Sequence, residues 1–105
     1  MATQVEIGQA GERIVARALA AKGWRANVDT KAPGSTDIEA RGTNGGLLVQ
    51  VKTAVTPNQA ARLSSDEERN IKSRATRLRW DAYEARVQID ANLRLVGAIV
   101  WRKLG

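Results

Sequence analysis

The first 23 residues carry their apolar positions at helical spacing. Thr3 with Glu6 three residues later forms a capping box, which predicts a helix start, and the glycine at position 23 predicts its end. One stripe of this helix is Gly8, Glu12, Val15, Ala16 and Leu19. Glu12 is therefore expected on or beside the face that packs on a sheet, where an unpaired carboxylate is costly. The alternative is that Glu12 lies at the edge of the stripe and reaches solvent.

The pattern then changes to a period of two on both sides of a turn. Residues 36–42 alternate apolar and polar side chains, which is typical of a half-buried strand. In residues 46–53, Leu47, Val49 and Val51 share one face, and Leu48, Gln50 and Lys52 share the other. Asn44 and Gly45 between them are a strong hairpin signal. The two segments therefore predict a hairpin with one apolar face and one polar face.

The polar face of this hairpin carries Asp37, Glu39, Gln50 and Lys52. With Asn44 and Gly45 as the central turn residues, Glu39 pairs with Gln50 and Asp37 pairs with Lys52. Including the next glycine in the turn would shift every pair, so this register is conditional.

The rest of the chain adds a short strand before the hairpin, a second helix after it and two more strands. The second helix starts at a capping box in which Ser64 or Ser65 is the cap and Glu67 or Glu68 is the third residue. Its apolar stripe is Ile71, Ala75 and Leu78. The predicted strands are 24–28, 83–89 and 93–104, and the predicted loops include 29–35 and 55–63. The order of helix, three strands, helix and two strands predicts an α/β or α+β sandwich around a mixed sheet.

Composition narrows the chemistry. The 105 residues favour one domain over 1–105, and the chain has no cysteine and no histidine, so carboxylates, lysines and amides must perform any catalysis. A net charge of +6 suits a polyanionic partner such as DNA or RNA. The sequence contains no long apolar run and no signal-peptide pattern, so we expect a cytoplasmic protein without membrane contact.

The polar residues suggest chemistry on phosphates. Asp37 and Glu12 are hard oxygen ligands of the kind that Mg²⁺ or Mn²⁺ prefers. Lys52 adds a cation that can orient a water or stabilise charge on a phosphate. The alternative is an exposed salt bridge between Asp37 and Lys52 on a solvated sheet face.

Three segments, "GERIVARALAAKGW", "GSTDIEA" and "LLVQVKT", resemble the PD-(D/E)xK nuclease superfamily, and within it archaeal-type Holliday-junction resolvases and Mrr-type restriction nucleases. The resemblance implies an α/β, restriction-endonuclease-like αβββαβ core with a central mixed sheet flanked by helices. In residue terms, Glu12 corresponds to the helix glutamate, Asp37 to the central metal-binding aspartate, Gln50 to the Asp/Glu position and Lys52 to the motif lysine. The carbonyl of Val51 corresponds to a backbone ligand.

The sequence departs from that pattern at two places. Gln50 replaces the usual acid, and an amide oxygen is a weaker ligand than a carboxylate. Glu39 is acidic where many relatives carry an apolar residue, and we hypothesise that it replaces the missing charge. Ser35 lies in the loop where resolvases often carry a serine near the scissile phosphate.

The resemblance predicts a Mg²⁺- or Mn²⁺-dependent endonuclease that hydrolyses phosphodiester bonds in DNA, with no small-molecule cofactor. Because the chain barely exceeds the catalytic core, shape recognition of branched DNA is expected, and two active sites on a junction imply a homodimer. Candidate dimer contacts are the final strand and Trp80, with a place at the edge of the core as the alternative for Trp80. Trp24 and Trp101 are expected to pack in the core. The alternatives are the cleavage domain of a restriction or mobile-element system and a non-catalytic nucleic-acid-binding module.

Overall fold

A computed structural model describes the backbone of residues 2–32 and 35–105, and the side chains of these residues except those of residues 29–37. The helices and strands follow the predicted order: α1 (Gln4–Ala21), β1 (Arg25–Ala32), β2 (Ser35–Gly42), β3 (Gly45–Val55), α2 (Ser65–Leu78), β4 (Asp81–Ile89) and β5 (Val100–Leu104). Within these ranges, no helix combines the length and the apolar character needed to cross a membrane.

The five strands form one mixed sheet in the order β1-β2-β3-β4-β5. All neighbours are antiparallel except β3 and β4, which are parallel. A parallel pair needs a crossover connection, and α2 is the helix of that crossover. The predicted mixed sheet flanked by helices is confirmed.

The two helices cover opposite faces of the sheet. On the face under α1, which we call the apolar face, Val15 and Leu19 of the helix pack against strand residues that include Ile38, Val49 and Val87. All five side chains are buried, so this face contains most of the hydrophobic core.

The face under α2, which we call the charged face, has a smaller apolar cluster. Ile71 and Ala75 of α2 pack there with Leu48, Ala82 and Leu104. The predicted helix stripe is thus confirmed for its first two residues but is wrong for Leu78, which is 45% exposed. Leu78 is the last helical residue, and the following Arg79 has a left-handed φ of 59° that turns the chain away.

Both predicted capping boxes are present. Thr3 and Glu6 exchange the two side-chain-to-backbone hydrogen bonds at the start of α1. At the start of α2, Ser64 rather than Ser65 is the cap, and its partner is Glu67. Each box provides acceptors for two backbone N–H groups at the helix start that would otherwise have no partner within the helix.

The predicted hairpin turn is wrong by one residue. Gly42 pairs with Gly45, so Thr43 and Asn44 are the central turn residues. Gly45, with a φ of +147°, takes the backbone conformation that favours glycine directly after the turn rather than inside it. The pairing shifts by two residues, which changes every partner but leaves each side chain on its predicted face.

Two strand predictions are wrong in length. β1 starts at Arg25 and continues through Ala32, so most of the predicted loop 29–35 belongs to the β1–β2 hairpin. Conversely, β5 begins only at Val100, because Leu93 and Gly97 have positive φ values of 64° and 72° that interrupt an extended strand.

The tryptophans pack as expected. Trp24 and Trp101 contact the core under α1, and Trp101 meets Tyr83 edge-to-face with ring centroids 6.4 Å apart. Trp80 lies at the edge of the α2 cluster and occupies the space over Gly46.

Candidate functional site

The predicted site residues of the hairpin lie where β2 and β3 separate. The described ladder between these strands ends at the pair Asp37–Gln50, whereas β3 continues to Val55 beside β4. Asp37 is therefore opposite Gln50 and not opposite Lys52. Glu39 is opposite Leu48 and not Gln50, so the predicted register of the polar face is wrong although the faces are right.

Gln50 and Lys52 lie on the charged face and share one partner that sequence reasoning did not assign to the site. Glu67 Oε2 accepts a hydrogen bond from Gln50 Nε2 at 3.1 Å and from Lys52 Nζ at 2.7 Å. Gln50 is only 4% exposed, and the Lys52–Glu67 ion pair is partly buried. One carboxylate oxygen thus fixes both side chains of the predicted QxK motif.

The position of Glu67 follows from the start of α2. It is the third residue of the capping box, and its Oε1 accepts a hydrogen bond from the Ser64 backbone N–H at 2.9 Å. Partial burial raises the pKa of Glu67, but the hydrogen bond from Lys52 and the contacts with Ser64 outweigh it and lower that pKa below its ordinary value. The ionised form of Glu67 is therefore favoured.

Glu12 is buried on the opposite side of the sheet. It is 7% exposed and belongs to the α1 residues that face the sheet, so the alternative of a solvent-exposed edge position is wrong. The neighbouring Gly11 lies so close to the Thr53 side chain that a Cβ at position 11 would collide with it. Glu12 is thus held near the residue that follows Lys52, although α1 covers the apolar face.

The other predicted site positions differ in how far they are described. Asp37 and Ser35 are strand residues, but their side chains lie outside the described residues. Val51 is the first β3 residue beyond the ladder with β2. The side chain of Glu39 is partly buried and two positions along β2 from Asp37.

Behind Gln50 lies a second carboxylate, which is fully buried. Glu84 of β4 pairs in register with Gln50 and is 0% exposed. Its Oε2 accepts from the Leu63 backbone N–H at 2.8 Å and from Arg102 Nη2 at 3.0 Å, and its Oε1 accepts from Arg102 Nε at 3.2 Å. Arg86 Nε is 3.5 Å from the same Oε1. These partners provide the compensation that a buried charge requires.

This network has a clear electrostatic balance. Burial raises the pKa of Glu84, but the hydrogen bonds from Arg102 and Leu63 and the nearby charges lower that pKa below its ordinary value. The hydrogen bond with Glu84 is the main reason why the pKa of Arg102 is raised. Arg102 also contacts Glu68 at 3.3 Å, so the first turn of α2 is tied to β5 as well as to β3.

The donor set suits a hard divalent ion, but the described part of it is incomplete. Glu12, Gln50 and the Val51 carbonyl offer only oxygen donors, which are the ligands that Mg²⁺ and Mn²⁺ prefer. Among the side chains that the structure describes, no group of three or more His, Cys, Asp or Glu residues is arranged to hold a metal ion. The remaining predicted ligand is Asp37, whose side chain lies outside the described residues.

Sequence reasoning missed two roles on the charged face. Glu67 was expected only as a possible cap, and Glu84 only as a polar position of an alternating strand. Their roles depend on the parallel pairing of β3 with β4, which brings α2 over Gln50 and Lys52. The predicted strand–helix–strand order is the signal that could have indicated it, because parallel neighbours need a crossover connection.

Comparison with known proteins identifies a structural relative. The chain is similar to Hjc, a Holliday junction resolvase from the archaeal hyperthermophile Archaeoglobus fulgidus, with a TM-score of 0.63 and 26% sequence identity. The match covers 92% of this chain and 70% of that chain. No protein-family model matches the chain, and no curated protein matches it. The predicted resemblance to archaeal-type resolvases is confirmed, and so is the restriction-endonuclease-like α/β fold.

Proposed function

We propose that this chain is a metal-dependent endonuclease that hydrolyses phosphodiester bonds of DNA and selects branched substrates. The observation that carries the proposal is the pair Asp37–Gln50 at the end of the β2–β3 ladder, followed by Lys52 on the same face of β3. This arrangement occurs on a fold shared with a Holliday junction resolvase.

Glu12, Asp37, Gln50 and the carbonyl of Val51 would hold the ion, which is Mg²⁺ or Mn²⁺. Bound there, the ion would polarise the phosphodiester and lower the pKa of a water. Gln50 lies on the charged face and is paired in register with Asp37, and Glu12 belongs to α1 on the other face. Gly11, next to Glu12, lies close to Thr53, the residue that follows Lys52 in β3, which supports this assignment.

Lys52 would orient the attacking water and stabilise charge on the phosphate. Its side chain is partly buried and its ammonium group donates a hydrogen bond to Glu67, so the ammonium is restricted to few positions. A restricted donor stabilises charge with little reorganisation during the reaction. The Ser35 hydroxyl is a further candidate contact to the scissile phosphate.

DNA is the proposed partner because the chain is basic and small. The net charge is +6, and exposed cations on α2 include Arg69, Lys72 and Arg77. Phosphate contacts of this kind position a duplex without reading its sequence. Cutting a junction symmetrically requires two active sites, so we propose a homodimer, with Trp80 and the segment 93–104 as candidate contacts.

The direct test incubates the protein with a synthetic four-way junction, a linear duplex and single-stranded DNA, with and without Mn²⁺. We expect discrete products from the junction only when Mn²⁺ is present. Asp37→Asn and Lys52→Ala are each expected to reduce the cleavage rate by at least about 100-fold. Metal-independent cleavage, or full activity of Asp37→Asn, would contradict the assignment.

A non-catalytic DNA-binding module with the same fold is the second candidate. It is favoured by the amide at Gln50 and by the lack of a metal-holding group among the described side chains. This candidate predicts retained junction binding without cleavage at any Mg²⁺ or Mn²⁺ concentration. A preference for linear duplex over junctions would instead favour the cleavage domain of a restriction or mobile-element system.

A further inference from the structure

We propose that Glu67 is a positioning residue of this centre and supplies the negative charge that Gln50 lacks. The inference rests on the proposed function and extends it to α2. It differs from the hypothesis for Glu39, which shares the face of Asp37 but pairs with Leu48 rather than with Gln50.

The contacts of Glu67 connect it to both motif side chains. The same oxygen, Oε2, lies 3.1 Å from Gln50 Nε2 and 2.7 Å from Lys52 Nζ. Since the Gln50 amide nitrogen donates to Glu67, the amide oxygen is turned away from that carboxylate. Glu67 therefore orients the Gln50 amide and holds the Lys52 ammonium at the same time.

Helix capping alone does not explain these contacts. In the α1 capping box, Glu6 is exposed and its carboxylate bonds the backbone of Thr3. In the α2 box, Glu67 uses Oε1 for the equivalent bond to Ser64 and directs Oε2 to Gln50 and Lys52. The two boxes thus provide a matched pair, one with only a structural role and one with an additional role.

The charge of Glu67 fits the departure at position 50. With glutamine there, Lys52 has no acidic neighbour at the motif position, yet its side chain is only 27% exposed. A partly buried cation needs a partner, and Glu67 is that partner. The first turn of α2 therefore supplies the acidic side chain that β3 lacks at position 50.

The surrounding network keeps this carboxylate in place. The buried Glu84 binds the Leu63 N–H just before α2 begins, and Arg102 binds Glu68 next to Glu67. The first turn of α2 is therefore anchored to β4 and β5. A positioning residue requires such support, because a loosely held carboxylate would not fix Lys52.

The test variant is Glu67→Gln, because glutamine retains the capping-box geometry and removes only the charge. Glu6→Gln is the matched control in the other capping box. We expect Glu67→Gln to weaken Mn²⁺ binding, measured by the EPR signal of free Mn²⁺, by about 10–100-fold, and to reduce kcat on a junction similarly. The KM for the junction and the melting temperature should change little, and Glu6→Gln should match the wild type in every measurement.

Moving the charge back provides a second variant. The double variant Glu67→Gln/Gln50→Glu restores an acid at the motif position, and we expect it to recover at least about tenfold of the Mn²⁺ affinity lost in Glu67→Gln. This recovery is not expected for a residue whose role is confined to folding α2.

The outcomes separate this inference from the proposed function. If the wild type cleaves, Asp37→Asn does not, and Glu67→Gln behaves as the wild type, the inference fails and the nuclease assignment stands. If Glu67→Gln loses affinity together with a large drop in melting temperature that the double variant does not reverse, Glu67 is only a structural cap. If the wild type neither binds Mn²⁺ nor cleaves, both proposals fail.

Discussion

The two faces of the sheet are filled in different ways. Under α1, aliphatic side chains from three strands and the helix form one buried cluster. Under α2, the apolar cluster is confined to one part of the face, and beside it lie a fully buried carboxylate, Glu84, and a nearly buried amide, Gln50. The strand positions proposed for catalysis belong to this charged face.

The difference shows that the two faces contribute differently to the stability of the fold and to the positioning of functional groups. Burial of apolar area contributes roughly 25 cal/mol per Å², whereas a buried ion pair often contributes no net stability relative to apolar residues of similar volume. The apolar face therefore stabilises the fold, and the charged face positions groups. The partners of Glu84 offset the free-energy cost of burying its charge, but they do not stabilise the fold as buried apolar side chains do.

The largest expected effect comes from removing the buried carboxylate alone. Glu84→Ala leaves Arg102 and Arg86 without their shared partner and the Leu63 N–H without its acceptor. We expect the free energy of unfolding to fall by about 3–5 kcal/mol, measured by urea denaturation.

A combined replacement sharpens the same comparison. In the triple variant Glu84→Met/Arg86→Met/Arg102→Leu, the three charges are removed together, and the Leu63 N–H lacks its acceptor just as it does in Glu84→Ala. Its free energy of unfolding is expected within about 1–2 kcal/mol of the wild type. A loss as large as that of Glu84→Ala would mean that the charges themselves stabilise the fold, and the contrast between the faces would be wrong.

The apolar face is tested by Ile38→Ala. Ile38 is fully buried under α1 and pairs with Val49, so its removal leaves a cavity. We expect a loss of about 2–5 kcal/mol in the free energy of unfolding. Unlike the loss in Glu84→Ala, this loss of stability cannot be offset by removing charged partners. A loss below about 1 kcal/mol would show that the α1 layer collapses easily and is not the main core.

The approach of α1 to the sheet is tested with a pair of glycines. A Cβ at Gly11 would collide with Thr53, whereas a Cβ at Gly8 would meet Glu12 Oε1 at an ordinary 3.8 Å. Gly11→Ala is expected to destabilise the protein by about 1–3 kcal/mol, because the helix must move away from β3. Gly8→Ala is expected to stabilise it by about 0.5–1 kcal/mol through helix propensity. Thermal denaturation of both variants gives the measurement, and equal effects would contradict the close approach at Gly11.

Sequence patterns predicted the local elements of this fold well. The capping boxes at Thr3 and Ser64 and the alternation in the hairpin depend on neighbours a few residues apart, and each was recovered. The turn at Thr43 and Asn44 was missed because glycine at position 45 is equally compatible with a place inside the turn or directly after it.

The candidate site was predicted only where it depends on local alternation. Gln50 and Lys52 share a face because they are two residues apart on one strand. Glu67 reaches them through a crossover helix and a parallel pairing with β4, and Glu84 lies beside Gln50 for the same reason. Those contacts arise from tertiary topology, which hydrophobic periodicity does not determine.

The smallest expected effect concerns the pH dependence of stability and uses Glu67 again. Its pKa in the folded protein is below the ordinary value of 4.5, after the hydrogen bond from Lys52 and the contacts with Ser64 outweigh the opposing effect of burial. Its ionised carboxylate therefore stabilises the folded state above the unfolded-state pKa, and this contribution is lost as the pH falls through the folded-state pKa. In urea titrations from about pH 6 to about pH 3, the stability difference between wild type and Glu67→Gln should shrink from at most about 1 kcal/mol towards zero.

The matched control is Glu6→Gln. The pKa of Glu6 is also lowered, by its bonds to Thr3, but Glu6 is exposed and has no contact of this kind with Lys52. The Glu6→Gln variant should therefore change the pH profile less. Equal pH profiles for the two variants would show that the contact of Glu67 with Lys52 contributes no stability beyond that of the capping box.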